Sequence, residues 1–380
     1  MIPFSPLIID CDFPLLYKSF LNTYKPSDNQ VITYSVRTSI YTYLKIKKYP
    51  SGSKVLITSI NIPTILDILN DLNLEYIPID LDLNTMDMNS KDLIAKIEQS
   101  DIKCCIYSHL FGKINDVNPI IDICKQKSID FIEDCAECFT ESYKGNPRAD
   151  MICFSFGSIK KCTCFGGSST FLKDKDELQN FKSELKKYKY QNTFSYIVKL
   201  VKYFFISCLT NNRYVNVFFR YITHLCKINT TDLFVSLIRN IPANDLIKNF
   251  SYQPCRLLTR YLLCRIKHYK DQSIENETYI TKKLLSPYVI PGNQSTKCDN
   301  YWLFPIYYHD IKKITDKLDA NDINYVKKIS QLICIDSACS NSKNIIDNII
   351  FLPIHSKTNV ICTRYIVEKL NNIIYTNKIQ

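Results

Sequence analysis

The chain has 380 residues, enough for about two or three domains at ~150 residues each and enough to bury a full core. Charged residues make up 22% and the hydrophobic set 46%, which excludes a generally disordered or fibrous chain. Lys and Arg exceed Asp and Glu by 48 to 37, a formal charge of +11 that favours anionic ligands or surfaces without naming one.

No positively charged leader precedes an apolar run, and the longest stretch free of charge, Leu284 to Thr296, is too short and too polar to span a bilayer. The 17 cysteines then read as reduced thiols of a cytoplasmic protein. Cys104, Cys105 and Cys153 sit in apolar runs as small hydrophobes. Cys135 and Cys138 form a C-x-x-C and Cys162 and Cys164 a C-x-C, but neither has the second pair and His spacing of a zinc site, so no metal is expected. Ile, Asn, Lys and Tyr crowd the whole chain, a bias ascribed to an AT-rich genome.

From 54 to 172 short apolar runs alternate with amphipathic stretches: KVLITSI then PTILDILNDL, EYIPIDL then SKDLIAKIEQ, IKCCIYSHL then VNPIIDICKQK, followed by IDFIEDCA, MICFSF and SSTFLKD. This rhythm predicts β-α-β units, hence an α/β fold with a mostly parallel sheet covered by helices and ligands received at the strands' carboxyl ends. Residues 185 to 231 carry eight Lys or Arg and no acid among many Tyr and Phe. They read as a packed basic, aromatic helical insertion; the competing reading lays them on an anionic membrane surface as a peripheral contact. From 245 to 380 an amphipathic helix is expected around Leu257 to Tyr269, then two Pro-containing strand edges in NYWLFPI and NIIFLPI. The expected division is a large domain over 1–184, the insertion over 185–244 and a smaller α+β domain over 245–380.

Five of the seven glycines (Gly112, Gly145, Gly157, Gly166 and Gly167) fall between 112 and 167, where a glycine-poor chain keeps them because the backbone demands it. That window also holds Asp134 at one strand end, in IEDCAE, and Ser155 and Lys160 after the next, in FSFGSIKKCTCFGG. An acid, a hydroxyl and a lysine at neighbouring strand ends suit pyridoxal 5'-phosphate. The lysine binds it covalently, the carboxylate keeps its ring nitrogen protonated, and hydroxyls with backbone N–H groups hold its phosphate. The plain alternative is an Asp that caps a turn and a solvated surface lysine.

IEDCAECFTESYKG, FSFGSIK and the following Gly-Gly resemble the signature of the DegT/StrS-type, nucleotide-sugar aminotransferases. SHLFG at 108–112, LDLNTMDMNSKDLIAKI, SVRTSIYTYL at 35–44, KVLITSINIPTI and YWLFPI agree with it, the last two with a less studied branch. The resemblance covers about 31–172 and is thinner over 245–380. It implies fold type I, with a three-layer α/β/α large domain, a smaller C-terminal α+β domain and a homodimer with shared active sites. Lys160 would be the Schiff-base lysine and acid-base group, five residues after the phosphate-binding Ser155, with Lys161 its competitor one residue out of register. Asp134 would face the pyridinium nitrogen, and Arg37 and Thr38 the phosphate. Tyr252 and Gln253 fall about where a partner subunit would reach that phosphate.

Three positions depart from the pattern. Val36 replaces a phosphate-turn glycine, Glu137 stands where a Gln or His contacts the cofactor's ring oxygen, and Ile62 replaces a stacking aromatic. The chain carries no G-x-G-x-x-G, Walker loop, G-x-S-x-G or H-E-x-x-H, and no recognised nucleic-acid module; His109 reads as structural. The resulting expectation is amino transfer from an amino acid, plausibly glutamate, to a keto sugar, with no nucleic acid as partner. The rivals are dehydration with the same cofactor, against which Lys160 argues, and a degenerate, non-catalytic binding or membrane-associated scaffold.

Overall fold

The computed structural model describes residues 12–211, 250–271, 275–294, 301–321, 323–327, 331–354 and 358–377, with 218, 221, 222 and 225 besides. In chain order the first half runs α1 Phe13–Leu21, β1 Gln30–Thr33, α2 Val36–Lys47, β2 Lys54–Thr58, β3 Ile60–Asn61, α3 Pro63–Asp71, β4 Glu75–Ile79, α4 Ser90–Gln99, β5 Ile102–Ser108, α5 Asn118–Gln126, β6 Asp130–Cys135, β7 Met151–Ser155, β8 Ser168–Leu172 and α6 Lys175–Leu185. There follow β9 Lys189–Tyr190, α7 Thr193–Asn211, β10 Tyr252–Gln253, α8 Arg256–His268, α9 Glu275–Lys283, β11 Phe304–Tyr307, α10 Ile311–Ala320, β12 Ile333–Cys334, α11 Ser340–Asp347, β13 Ile349–Leu352 and α12 Val360–Asn377. Every apolar run named between 54 and 172 forms a strand, and the amphipathic stretches between them form α3, α4 and α5.

The main sheet has seven strands in the order β1-β8-β7-β6-β5-β2-β4. Its neighbours from β7 to β4 are parallel, whereas β8 runs antiparallel to both β7 and β1. Two-sided burial follows from residue alternation. In β5, Cys104 and Ile106 join a core with Val36, Ile65 and Phe181 of α2, α3 and α6, whereas Cys105 and Tyr107 join one with Leu93 of α4 and Ile121 of α5. Helices thus cover both faces, and cysteine fills core positions as a small hydrophobe.

The core on the α4–α5 face continues without a break into the C-terminal part, through Trp302, Phe304, Ile350 and Leu370. There β11 and β13 form an antiparallel pair, Pro305 lying within one strand and Pro353 just beyond the other. Helix α8 packs along α1 and under the loop that ends at Gly167. Gly167 has φ +86°, and a Cβ there would stand 2.5 Å from Leu262 Cδ1, so backbone conformation and helix packing both require glycine. Of the expected insertion, α7 is described; most of 212–249 lies outside the described residues. No helix among the described residues is long and apolar enough to cross a membrane.

Candidate active site

Ser108, Asp134 and Ser155 end, or nearly end, the three adjacent parallel strands β5, β6 and β7, and register pairs Ser108 with Asp134 and Asp134 with Cys153. Their carboxyl ends therefore present three polar side chains in a row, where open α/β sheets receive ligands. Asp134 accepts from the Ser108 hydroxyl at 3.2 Å and from its own turn, the Ala136 N–H, at 3.0 Å. Asn61, after β2, donates to Ser108 Oγ at 3.2 Å, so a chain of side chains from β3 to β6 fixes the carboxylate. Ile62, the next residue, donates its N–H to the Asn61 side-chain oxygen at 2.8 Å and stands at the start of α3.

Lys160 stands on the loop between β7 and β8. That loop is pinned at its ends: Phe156 donates to the Gly167 carbonyl, and the Cys164 and Gly166 N–H groups both donate to Phe156 O. The Lys160 N–H closes a turn onto Gly157 O at 3.1 Å, and the Trp302 indole N–H reaches across from the C-terminal part to Ile159 O at 2.7 Å. Held this way, Lys160 Nζ sits 3.7 Å from the centroid of the Trp302 ring and 3.7 Å from Glu137 Oε1. Lys161 turns elsewhere, its Nζ lying 3.9 Å from the buried Glu277. Adjacent lysines thus have separate environments, and the one five residues after Ser155 faces the carboxylates.

Burial sets the electrostatics of this cluster. It raises the Asp134 carboxyl above the ordinary carboxylate range, against the pull of the Ala136 N–H and the Ser108 hydroxyl. Glu137 is likewise raised by burial, with Lys160 and the Phe111 N–H opposing; that N–H donates to Glu137 Oε2 at 2.9 Å. Burial lowers the Lys160 ammonium, partly offset by Glu137 and then Asp134. All three shifts disfavour charge, so the cluster keeps an amine nearer to its neutral, nucleophilic form beside carboxyls nearer to theirs.

The expected phosphate residues lie next door, because the Gly167 N–H donates to Tyr34 O just before α2. Ser35 caps α2 and accepts from the Thr38 N–H, so the backbone donor of Thr38 is already engaged. Arg37 has no ion pair among the described residues; its guanidinium lies 5.5 Å from the Phe250 ring centroid, and burial lowers it. Lys199 of α7 is close enough to feel Arg37: burial, then the charges of Arg37 and Lys202, push its amine down to about 8. Val36 is buried at the start of α2 in the core with Ile40 and Leu44. Ser155 Oγ accepts from the Gly157 N–H at 3.4 Å. Tyr252 packs on Tyr34 within the same chain, and Gln253 gives its amide to Tyr188 O.

His109 is buried, with Nε2 2.9 Å from Glu133 and Nδ1 accepting from the Asn115 N–H at 3.3 Å. It also shares a neighbourhood with Cys135 and Cys138, their ligand atoms within 4.8 Å of one another, yet both its ring nitrogens are occupied in the hydrogen-bond network. Sequence reasoning missed Trp302, Asn61, Ser108 and Lys199. Trp302 had a signal, since it is the only tryptophan of the chain.

The donor set fits pyridoxal phosphate. It offers a buried amine against an aromatic face, a strand-end carboxyl that makes no ion pair among the described residues, and a guanidinium likewise without an acid beside a helix start.

Comparison with known proteins agrees. Residues 21–195 match the model of the DegT/DnrJ/EryC1/StrS aminotransferase family. The chain is 32% identical over 112 residues to the GDP-perosamine synthase of Escherichia coli O157:H7, covering 28% of this chain and 30% of that enzyme, so the match spans under a third of the relative's length. The fold is similar to aminotransferase TlmJ from Streptoalloteichus hindustanus (TM-score 0.68, 10% identity, 98% of this chain and 99% of that one). It is also similar to the sugar aminotransferase CalS13 from Micromonospora echinospora (TM-score 0.65, 15% identity, 98% and 100%). At such identities these likenesses speak for the fold, the α/β architecture of fold type I. Over residues 21–195 the chain is thus similar in sequence to the DegT/DnrJ/EryC1/StrS aminotransferase family, and over nearly its whole length it has the fold of the aminotransferases named above.

Proposed function

We propose that the protein is a pyridoxal-phosphate-dependent aminotransferase that takes an amino group from an amino acid, glutamate in the first instance, and delivers it to a keto sugar carried on a nucleotide. The observation that supports this most is the gathering of Lys160, Asp134 and Glu137 at the ends of β6 and β7, with Lys161 directed to Glu277 instead. When bound, the cofactor supplies an electron sink that lets a substrate carbon lose and regain a proton.

Each residue then has a definite task. Lys160 is the residue that would hold the cofactor covalently, and its Nζ would carry the proton to and from the substrate carbon; its lowered basicity suits both duties. Asp134, already aligned by Ser108 and the Ala136 N–H, pairs with the ring nitrogen, and that cation restores the ionisation that burial opposes. Glu137 loses its stabilising cation whenever Lys160 is neutral, and then binds a proton more readily. A protonated carboxyl donates to a ring oxygen where a carboxylate would repel it. Arg37, Ser155 and the Thr38 hydroxyl serve the phosphate, Ile62 gives the ring an apolar contact, and Trp302 provides an aromatic wall from the C-terminal side. The protein works as a cytoplasmic homodimer in this reading.

The test is a half-reaction. Protein loaded with pyridoxal phosphate and mixed with glutamate should lose its yellow colour and release 2-oxoglutarate, and Lys160→Ala and Asp134→Asn should each abolish this. Loaded protein that releases no keto acid from any proteinogenic amino acid would refute amino transfer.

A further inference from the structure

Helix α7 plays no part in the chemistry proposed above, and it is apolar on two sides. Its inner side is docked: Tyr196, Leu200, Tyr203 and Ile206 are buried, the Tyr196 hydroxyl donates to Cys164 O at 2.7 Å, and Tyr203 stacks on Phe165 with centroids 4.7 Å apart. The outer side carries Phe194, Ile197, Val198, Val201 and Phe205. Their spacing of three, four, seven and eleven residues from Phe194 traces one helical face. All five are exposed, Phe194 by 72% and Phe205 by 62%. A helix face turned to water ordinarily bears charges, and this one bears none. The apolar surface extends to α1, whose Phe13 contacts Phe204 with centroids 4.9 Å apart and whose Tyr17, Phe20 and Leu21 are exposed. Together these form more apolar surface than isolated exposed side chains account for.

We infer that this face seats the protein on an anionic lipid bilayer, with α7 lying in the interfacial plane and its outer side chains among the acyl chains. Charge selects that occupant over a second copy of the chain. Residues 185–231 hold eight Lys or Arg and no acid. A two-fold contact would press this segment, in which only Lys187 among the described lysines pairs with an acid, Glu184, against its own equally cationic image. Anionic headgroups neutralise the lysines while the apolar face enters the bilayer. Among the described residues no helix can cross the membrane, which fits a helix that lies on it.

The experiment is flotation of the full chain with vesicles of phosphatidylcholine alone or containing phosphatidylserine. Binding should require phosphatidylserine and fall with salt. Val201→Asp combined with Phe205→Asp should abolish it, and Lys189→Gln combined with Lys202→Gln should weaken it roughly thirtyfold, about one surface cation's worth for each lysine. Both variants should still colour with pyridoxal phosphate, which reports an intact fold independently of any transferase activity. Failure of the unaltered chain to float with phosphatidylserine vesicles, or equal binding by the variants, would overturn the inference. So would a solution dimer, measured by light scattering, that the aspartates split while vesicle binding is unchanged; that result would assign the face to a second copy.

Discussion

At the scale of the residue, the decisive fact is the different surroundings of two adjacent lysines. Lys160 faces Trp302, Glu137 and Asp134, whereas Lys161 faces Glu277. Burial lowers the Lys160 ammonium and Glu137 holds it up, so removing the Glu137 charge should lower it further. For Glu137→Gln we therefore expect the pH at which Lys160 becomes reactive to move down, with roughly three- to tenfold faster borohydride trapping of pyridoxal phosphate near pH 7. A midpoint unchanged or moved upward would show that the ion pair does not control this amine. Glu133 illustrates the opposite balance. Burial works against its ionisation, but His109, the Tyr143 hydroxyl and the Asn146 N–H outweigh that and hold the carboxyl below its ordinary range. A depressed folded-state carboxyl contributes stability above its unfolded value, and that stability is lost as pH falls through the folded one. Glu133→Gln should thus cost about 1–3 kcal/mol at pH 7 and less in acid, as urea titrations at the two pH values would reveal; an equal cost at both would contradict the assignment.

At the scale of the element, the loop between β7 and β8 is set by what meets its ends. Gly167→Ala should destabilise the protein by about 1–3 kcal/mol, since the new methyl meets Leu262 and the φ of +86° strains any L side chain. Trimming Leu262 to Ala in the same chain should relieve the clash but not the backbone strain, and full recovery in chemical denaturation would refute the conformational part. Elements of this kind were legible in the sequence to different degrees. KVLIT, IKCCIYS and MICFS declare themselves as strands because each is a short apolar run between turn signals. β1, with only QVIT, does not. It is a strand because β8 runs antiparallel beside it, a pairing across some 140 residues that local pattern does not carry. The lysine loop was readable through its glycines and the Ser155 spacing; the sole tryptophan stood out as a residue, but its place beside Lys160 was not readable, because that contact depends on how the C-terminal part folds back.

At the scale of the whole molecule, the site joins the main sheet to the C-terminal part, because the core beneath it runs from Leu56 and Tyr107 through Trp302 to Ile350 and Leu370. This continuity makes the sole tryptophan a reporter of the site from within the intact fold. Adding pyridoxal phosphate should quench its fluorescence strongly in the unaltered chain and in Lys161→Ala, and far less in Lys160→Ala; equal quenching in all three would detach Trp302 from the binding event. The most direct measurement is peptide mapping by mass spectrometry after borohydride reduction of the protein with stoichiometric pyridoxal phosphate. The reduced adduct is expected on Lys160, at one per chain, and absent after Lys160→Ala. An adduct on Lys161, or one scattered over surface lysines, would contradict the account.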